Sequence, residues 1–363
     1  MPTDRSRPGA TTGGRPPAPP AQAQADRHLA ARLPEVLRYH QKMLGDATRN
    51  RALRDAITAH VTPQTDFLDV GSGTGVWAIL AAQLGARRVV AIEQDEALAA
   101  ILHRQARENG VGDRIEIVRG NVDDVRLRGR FTLMVCELFG AGALGARTIG
   151  SFVGARDLFL APGGVLIPQR ITMVAAPTHT GGASATFPAD LPVRASYLRR
   201  LLLNHPYDLS MTERAALEVV GAPAPLVEVD FRTIVAAPSL DDLRAEWTLD
   251  DVSRVDGVVL YNRHAFTDAH VIDSLASQSW GVALHRVEPF AAGPGTLHFS
   301  VSLRGPQPVW TVSASSDPGA GTRSYSPAFS LPAIRWAQRD APVRTVKPRG
   351  RRAPGRRPDS ANT

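Results

Sequence analysis

Phe67-Leu68-Asp69-Val70-Gly71-Ser72-Gly73-Thr74-Gly75, running into Val76-Trp77-Ala78-Ile79-Leu80-Ala81-Ala82, decides how this chain folds. A short apolar run becomes a glycine-rich turn and then a helix-forming run. This is the strand–turn–helix unit at which open α/β sheets bind nucleotides. Gly71, Gly73 and Gly75 permit left-handed backbone and close approach of a ligand to the main chain. Many nucleotide sites share such a glycine turn, so its neighbours must discriminate. Asp69 stands where a dinucleotide would lay its pyrophosphate, and a carboxylate there repels phosphate, which argues against a dehydrogenase. Glu93 closes the next apolar run, Val89-Val90-Ala91-Ile92, placed to accept hydrogen bonds from ribose hydroxyls. A cationic nucleoside suits this site, and S-adenosylmethionine is the expected cofactor rather than NAD.

The alternation continues on both sides of the turn. Strands are expected at Phe67–Val70, Arg88–Glu93, Ile115–Val118 and Leu133–Glu137. Helices fall between them at Val76–Leu84 and Glu96–Asn109, stopped by Gly85 and Gly110. Strands spaced by helices imply right-handed crossovers and a parallel sheet that binds ligands at its carboxyl edge. Asp69, Glu93, Asp123 and Glu137 all fall at that edge, and four acids there suit a sulfonium bearing an α-amino group. Residues 28–60 read as helices lying over the cofactor site, and residues 61–168 as the Rossmann-like cofactor domain. After Pro162-Gly163-Gly164 the texture changes. From 169 to 338 short β-branched runs such as Leu226–Val235, Gly281–Val287, Leu297–Leu303 and Trp310–Ser313 alternate with Pro and Gly clusters, as in an antiparallel β domain. A helical interruption at Ala195–Leu203 and the stretch around Leu240–Trp247 break that pattern.

The ends are different again. Residues 1–27 are rich in Pro, Gly, Ala and Thr and are expected to be disordered, as is a basic tail at 339–363. The formal net charge is +7, but from Arg344 onward seven Lys and Arg face one acid, Asp359, so the remainder is nearly neutral. Lys42 and Lys347 are the sole lysines; so strong an Arg bias fits a GC-rich genome better than a nucleic-acid footprint. No run reaches the roughly 20 apolar residues of a membrane helix. The polar start does not read as a signal peptide, the single cysteine, Cys136, excludes an internal disulfide, and the cytoplasm is the expected compartment. No metal site is expected.

Several segments in order resemble the protein arginine methyltransferases, class I methyltransferases with a β-barrel domain after the cofactor domain. They are His40-x-x-Met43-Leu44-x-Asp46-x-x-Arg49, Leu68 to Gly75, Ala86 to Glu93, Asn109-Gly110 with Asp113-Arg114-Ile115, Gly120-x-Val122-Asp123, Cys136-Glu137-Leu138-Phe139, and Ala155-Arg156-Asp157 before Pro162-Gly163-Gly164. The resemblance runs from about His40 to Pro177 and continues weakly beyond. It implies that Arg49 pairs with the cofactor carboxylate, that His40 and Met43 lie near its methyl group, that Glu93 takes the ribose and Asp123 the adenine amino group. It makes Glu137 the first of two glutamates that grip a substrate guanidinium. A homodimer through the barrel also becomes conceivable on this resemblance.

The departures bear on the acceptor. The position of the second glutamate falls on Ala146, and no acid occurs between Leu138 and Arg156. The family's Thr-His-Trp loop stands here as Gln278-Ser279-Trp280, and its aromatic segment upstream of His40 is replaced by Leu29-Ala30-Ala31-Arg32-Leu33-Pro34. A guanidinium has a pKa above about 12, and two carboxylates hold it better than one. With Arg147 beside the vacant position, a small-molecule amine, hydroxyl or guanidine, including one with its own carboxylate, competes with an arginine-containing protein as acceptor. Glu137 then works alone or with a barrel acid such as Asp250, Asp251 or Asp268. A cofactor-binding relative without catalysis is the remaining alternative. Ser279 and Trp280 join Arg147 as expected acceptor-side residues.

Overall fold

The computed structural model describes residues 20–139, 144–181, 187, 192–303 and 308–329. Helices α1 (Pro20–Leu44) and α2 (Ala47–Thr58) lead into five parallel strands: β1 (Asp66–Val70), β2 (Arg88–Glu93), β3 (Ile115–Arg119), β4 (Phe131–Cys136) and β5 (Leu160–Ile167). Their order is β3-β2-β1-β4-β5. Helices α3 (Val76–Gln83), α4 (Glu96–Glu108) and α5 (Ala146–Phe159) connect β1 to β2, β2 to β3 and β4 to β5. In β1 and β2 every residue after the first is buried, as near-continuous apolar runs require when helices cover both faces of a sheet. The chain builds outward from β1 to β3 and then returns to place β4 on the other flank of β1. That reversal opens a crevice at the carboxyl edge, where Gly71, Glu93 and Glu137 stand at or just past the strand ends.

From Arg170 the chain is mostly antiparallel. Its elements are β6 (Arg170–His179), α6 (Ser196–Leu203), β7 (Tyr207–Asp208), α7 (Met211–Ala215), β8 (Glu218–Val219), β9 (Ala224–Asp230), β10 (Leu243–Leu249), β11 (Gly257–Thr267), β12 (His270–Asp273), β13 (Ala283–Arg286), β14 (Gly295–Ser302), β15 (Val309–Ala314) and β16 (Arg323–Tyr325). One sheet runs β7-β13-β11-β6-β8, with β12 on β11 and β9 on β6; the other runs β10-β14-β15-β16.

Four expectations need revision. Helix α1 begins at Pro20, inside the segment 1–27 expected to lack structure; residues 1–19 and the tail 339–363 lie outside the described residues. The stretch around Leu240–Trp247 does not interrupt the β pattern. Leu243, Trp247 and Leu249 are buried while Arg244, Glu246 and Thr248 are exposed, and this period of two pairs with β14 from Leu243↔Val301 to Leu249↔Gly295. The run from Leu226 ends early, at Asp230, whose carboxylate accepts from Arg232 N at 2.9 Å and turns the chain. Helix α5 occupies a segment in which the sequence suggested no element.

The parallel sheet does not close its own cores. On one face Leu53, Ile57, Ile79 and Leu102 pack with Phe266, Ile272 and Trp280 of the antiparallel region. On the other, Phe131, Phe152 and Phe159 pack with Ile171 and Phe231. Among the described residues no helix is long and apolar enough to cross a membrane.

Candidate active site

The glycine turn is held by its neighbours. Gly71 N and Ser72 N both donate to Ile92 O at 3.0 Å, which seats the turn on the end of β2. Gly73 has φ +54°, and a Cβ there would meet His40 Cε1 at 2.7 Å; one at Gly71 would meet Leu138 Cδ2 at 2.2 Å. His40 and Leu138 thus lie directly against the turn, and only glycine admits them. Glu93 is buried and accepts from Gly73 N at 2.7 Å through Oε2 and from Asp95 N at 2.7 Å through Oε1. Each oxygen keeps a lone pair for a further donor. Glu93, Gly71, Gly73, His40, Met43, Glu137 and Arg147 line a cavity of about 510 Å³ at the carboxyl edge. Helix α1, whose Arg32 pairs with Asp95, carries His40 and Met43 across it.

Arg49 and Glu137 meet in a narrow recess that shares Glu137 with this cavity. Arg49 is the third residue of α2, and Asp46 caps that helix by accepting from Arg49 N at 3.1 Å. The other oxygen of Asp46 accepts from Ser277 Oγ, from Ser279 N at 3.0 Å and from Ser279 Oγ at 2.6 Å. Burial alone would raise the Asp46 carboxyl, but these hydrogen bonds from Ser277, Ser279 and Arg49 bring it below the usual carboxylate range. Arg49 is only 3% exposed and forms an ion pair with Glu137 Oε2. Arg49 Nη1 donates to Asn50 Oδ1 at 2.8 Å, and Arg49 Nε, also buried, has no partner. Trp280 Nε1 donates to Glu137 Oε1 at 3.3 Å. Burial lifts the Glu137 carboxyl above its ordinary value against the opposing pull of Arg49 and Trp280.

Not every expected residue is in this cavity. The structure gathers His40, Met43, Gly71, Gly73, Glu93, Glu137 and Arg147 around it, and a narrow recess of about 50 Å³ adds Arg49 and Asp69. Asp69 is not the open carboxylate the sequence suggested. Its side chain accepts from Ala78 N at 3.2 Å, and burial first, with Glu93 adding, pushes its pKa up to about 7. Its work is to anchor α3. Gly75, at φ +86°, starts α3, and a Cβ there would strike Leu102 Cγ at 2.4 Å; its role is helix packing. Asp123 is exposed and accepts from Ser151 Oγ at 3.1 Å, while its neighbours Asn121 and Val122 line the cavity. The ring of four acids therefore reduces to two, Glu93 and Glu137. Ser279 is bound to Asp46 rather than to the cavity, and Trp280 reaches the cavity through Glu137. Of the barrel acids, Asp251 accepts from Ser253 and Gly293, and Asp268 pairs with Arg170 at 2.9 Å.

Sequence reasoning missed three participants. Ser277 and the cap role of Asp46 join segments far apart in the chain. His264 on β11 stacks on Trp280, and its only sequence signal is a polar residue two before Phe266, which puts both on one face of the strand.

Residues 67–164, which hold the glycine turn and most of the parallel sheet, match the family model described as a methyltransferase domain. In sequence the chain is similar to protein arginine N-methyltransferases over part of their length. It is 33% identical over 140 residues to probable protein arginine N-methyltransferase 6 of Arabidopsis thaliana, covering 38% of this chain and 32% of that one. It is 26% identical over 217 residues to protein arginine N-methyltransferase 6 of Danio rerio, covering 56% and 60%. The chain thus spans from about a third to three fifths of the length of these curated relatives. In fold it is similar to the Trypanosoma brucei PRMT1 enzyme–prozyme heterotetrameric complex with AdoHcy, with TM-score 0.63 and 21% identity over 79% of this chain and 97% of that one.

Proposed function

We propose that this protein is an S-adenosylmethionine-dependent methyltransferase acting on a guanidine or another nitrogen or oxygen nucleophile. The observation that carries the reading is one cavity with Glu93 and the glycine turn along it and with Glu137 on its wall, the Glu137 carboxylate pairing with the buried Arg49 of an adjoining recess. The residues fit the cofactor. Arg49 Nε is a buried donor without a partner, suited to a carboxylate; Gly73 leaves room against the main chain; Glu93 keeps lone pairs for two hydroxyls. S-adenosylmethionine, when bound, supplies a methyl group activated by its sulfonium. Arg49, Glu93 and the glycine turn bind and orient, and His40 and Met43 exclude water from above. Glu137 orients the acceptor, and its raised pKa suits a carboxylate that takes up a proton from an attacking nitrogen or oxygen. Positioning and charge do most of the work in such an in-line displacement.

A neutral small-molecule acceptor is the second reading. Glu137 already faces the Arg49 cation, Ala146 begins α5 where a second acid would stand, and Arg147 adds positive charge to the cavity. The relatives' names favour peptidyl arginine. We further place the protein in the cytoplasm. A second copy is a fitting partner for the exposed Tyr197, Leu198, Tyr207 and Met211 of the antiparallel region.

Transfer of labelled methyl to a panel of amines, hydroxy compounds, guanidines and arginine peptides tests the reading. Glu137→Gln should lower kcat by about 10²-fold or more, the scale of one positioned polar group, with AdoHcy affinity little changed. It also leaves Arg49 buried without its partner, a cost of about 3–5 kcal/mol, so the variant must be shown to be folded. Full turnover in folded Glu137→Gln sinks the assignment. Ala146→Glu should raise activity on arginine peptides if that is the true acceptor class, and abolish activity on a neutral small acceptor.

A further inference from the structure

Behind Glu137 the antiparallel region presents a pair of stacked rings. His264 is 1% exposed, and its ring lies on that of Trp280 with centroids 3.8 Å apart and planes 13° from parallel. Phe139 and Phe266 flank it, each with its ring centroid 6.4 Å away. His264 Nδ1 has no hydrogen-bond partner, and a buried polar atom left unpaired destabilises a fold. Stability alone would favour an apolar residue at this position. The specific contact that His264 makes is the stack.

Trp280 has its backbone held independently. Its N–H donates to Ser277 Oγ at 3.2 Å, and its carbonyl accepts from Arg214 Nη2 at 2.8 Å. These contacts fix the main chain and leave the plane of the indole to its packed neighbours: the stacked His264 ring, the tilted Phe266 ring 6.2 Å away and the Arg49 guanidinium 5.6 Å from the ring centroid. That plane matters, because Trp280 Nε1 reaches Glu137 Oε1 at 3.3 Å, near the long end of useful N–H···O distances, where a small tilt loses the bond.

We propose that His264 is a positioning residue whose ring seats the Trp280 indole and so holds Trp280 Nε1 on the Glu137 carboxylate. The proposal rests on the reading of Glu137 as the group that orients the acceptor. The seat keeps one charge state across the working range of pH. Burial, and then the nearby Arg49 cation, push the His264 pKa down to about 3, so the ring is neutral. Around Glu137 stand Arg49 from α2, Asp46 from the turn before it, Asp69 and Cys136 from β1 and β4, Tyr39 from α1, and the Trp280 N–H. Arg49 and Trp280 are the two that hold the carboxyl down. Losing the Trp280 bond therefore moves Glu137 to higher pH, and the acid limb of turnover moves with it.

The test uses the full chain and two readouts. One is tryptophan emission titrated from acid to alkaline pH, in which the inflection absent from Glu137→Gln reports the carboxyl. The other is turnover of labelled S-adenosylmethionine with the best acceptor of the panel. His264→Leu removes the ring and should move the emission inflection to higher pH and lower kcat about 10-fold, with AdoHcy affinity by calorimetry within about twofold. His264→Phe restores a ring and should return the inflection and most of the rate. Trp280→Phe keeps a ring on His264 but has no N–H; it also removes the emitting indole, so it is read by turnover followed across pH, whose acid limb should move to higher pH as it does in His264→Leu. It decides the matter if His264→Leu does not fold. An acid limb of turnover at the wild-type pH in Trp280→Phe, or equal losses in His264→Leu and His264→Phe, would overturn the proposal. If Glu137→Gln turns over at full rate, the reading of Glu137 falls, while the emission shifts still judge the seat.

Discussion

At the scale of single residues, the site is built from carboxylates in unequal surroundings. Glu93 lies in the cavity with two backbone donors already on it, so it is a scaffold for the glycine turn as well as the group proposed to take the ribose. Glu93→Ala should weaken AdoHcy binding by about 1.5–3 kcal/mol, the worth of hydrogen bonds to a charged acceptor. It should also loosen Gly73; calorimetry beside thermal melting separates the two effects, and unchanged affinity would refute the ribose role. Asp69 behaves in the opposite way. Its folded pKa of about 7 lies above its ordinary 3.8, so the folded state holds the proton more tightly. The resulting stability is fully present below about pH 4 and is lost as pH rises through 7. The wild type should therefore melt lower at pH 8 than at pH 5, and Asp69→Asn should flatten that difference. Asp69 and Glu93 look alike in sequence, each an acid at the end of an apolar run. Their divergence comes from which neighbouring N–H each one meets, which the run itself does not encode.

At the scale of elements, the start of α2 is where the two halves of the chain are fastened. Asp46 caps the helix with one oxygen and holds Ser277 and Ser279 with the other, partners 231 and 233 residues away. Asp46→Ala should cost about 0.5–2 kcal/mol for the cap and more for the serines left unpaired. Because the folded Asp46 pKa is depressed, its contribution is present above the ordinary carboxylate range and lost as pH falls through the folded value. The melting difference from wild type should therefore be large at pH 7 and narrow in acid. AdoHcy affinity should fall as well, since Arg49 sits in the turn that Asp46 fixes. Four of the five parallel strands, the glycine stops at Gly85 and Gly110 and the turn from Gly71 were legible, because each is written in a short window, whereas β5 carries Pro162-Gly163-Gly164 inside it and does not read as a strand. The pairing of Arg49 with Glu137, 88 residues apart, was not, since it depends on how helices and strands dock. Strand β10 was missed because its charged residues resemble a helix surface until their period of two is set against β14.

At the scale of the whole molecule, the two regions that differ so plainly in sequence share their interior. Phe266, Ile272 and Trp280 complete the core on one face of the parallel sheet, and Ile171 and Phe231 complete the other. Arg156 on α5 adds hydrogen bonds of 2.8 Å to the carbonyls of Phe231 and Ile234. A change of texture near residue 169 therefore marks a change of architecture without marking a place where the chain can be cut. Burying one large apolar side chain contributes about 1.5–3 kcal/mol, so losing all five is comparable with the roughly 5–15 kcal/mol of a folded domain. A fragment of residues 20–168 would also leave Asp46 without Ser277 and Ser279, and Glu137 without Trp280. It should show no cooperative thermal transition and no AdoHcy binding by calorimetry, whereas residues 20–329 should show both. Adding charge on one side of the junction gives the milder form of the same experiment: Phe231→Asp in the full chain should lower the melting temperature and weaken AdoHcy binding together, although residue 231 lies outside the cofactor cavity. A fragment that melts cooperatively and binds AdoHcy as the full chain does would show that the parallel region is self-sufficient and that the shared cores are only a contact between two finished halves.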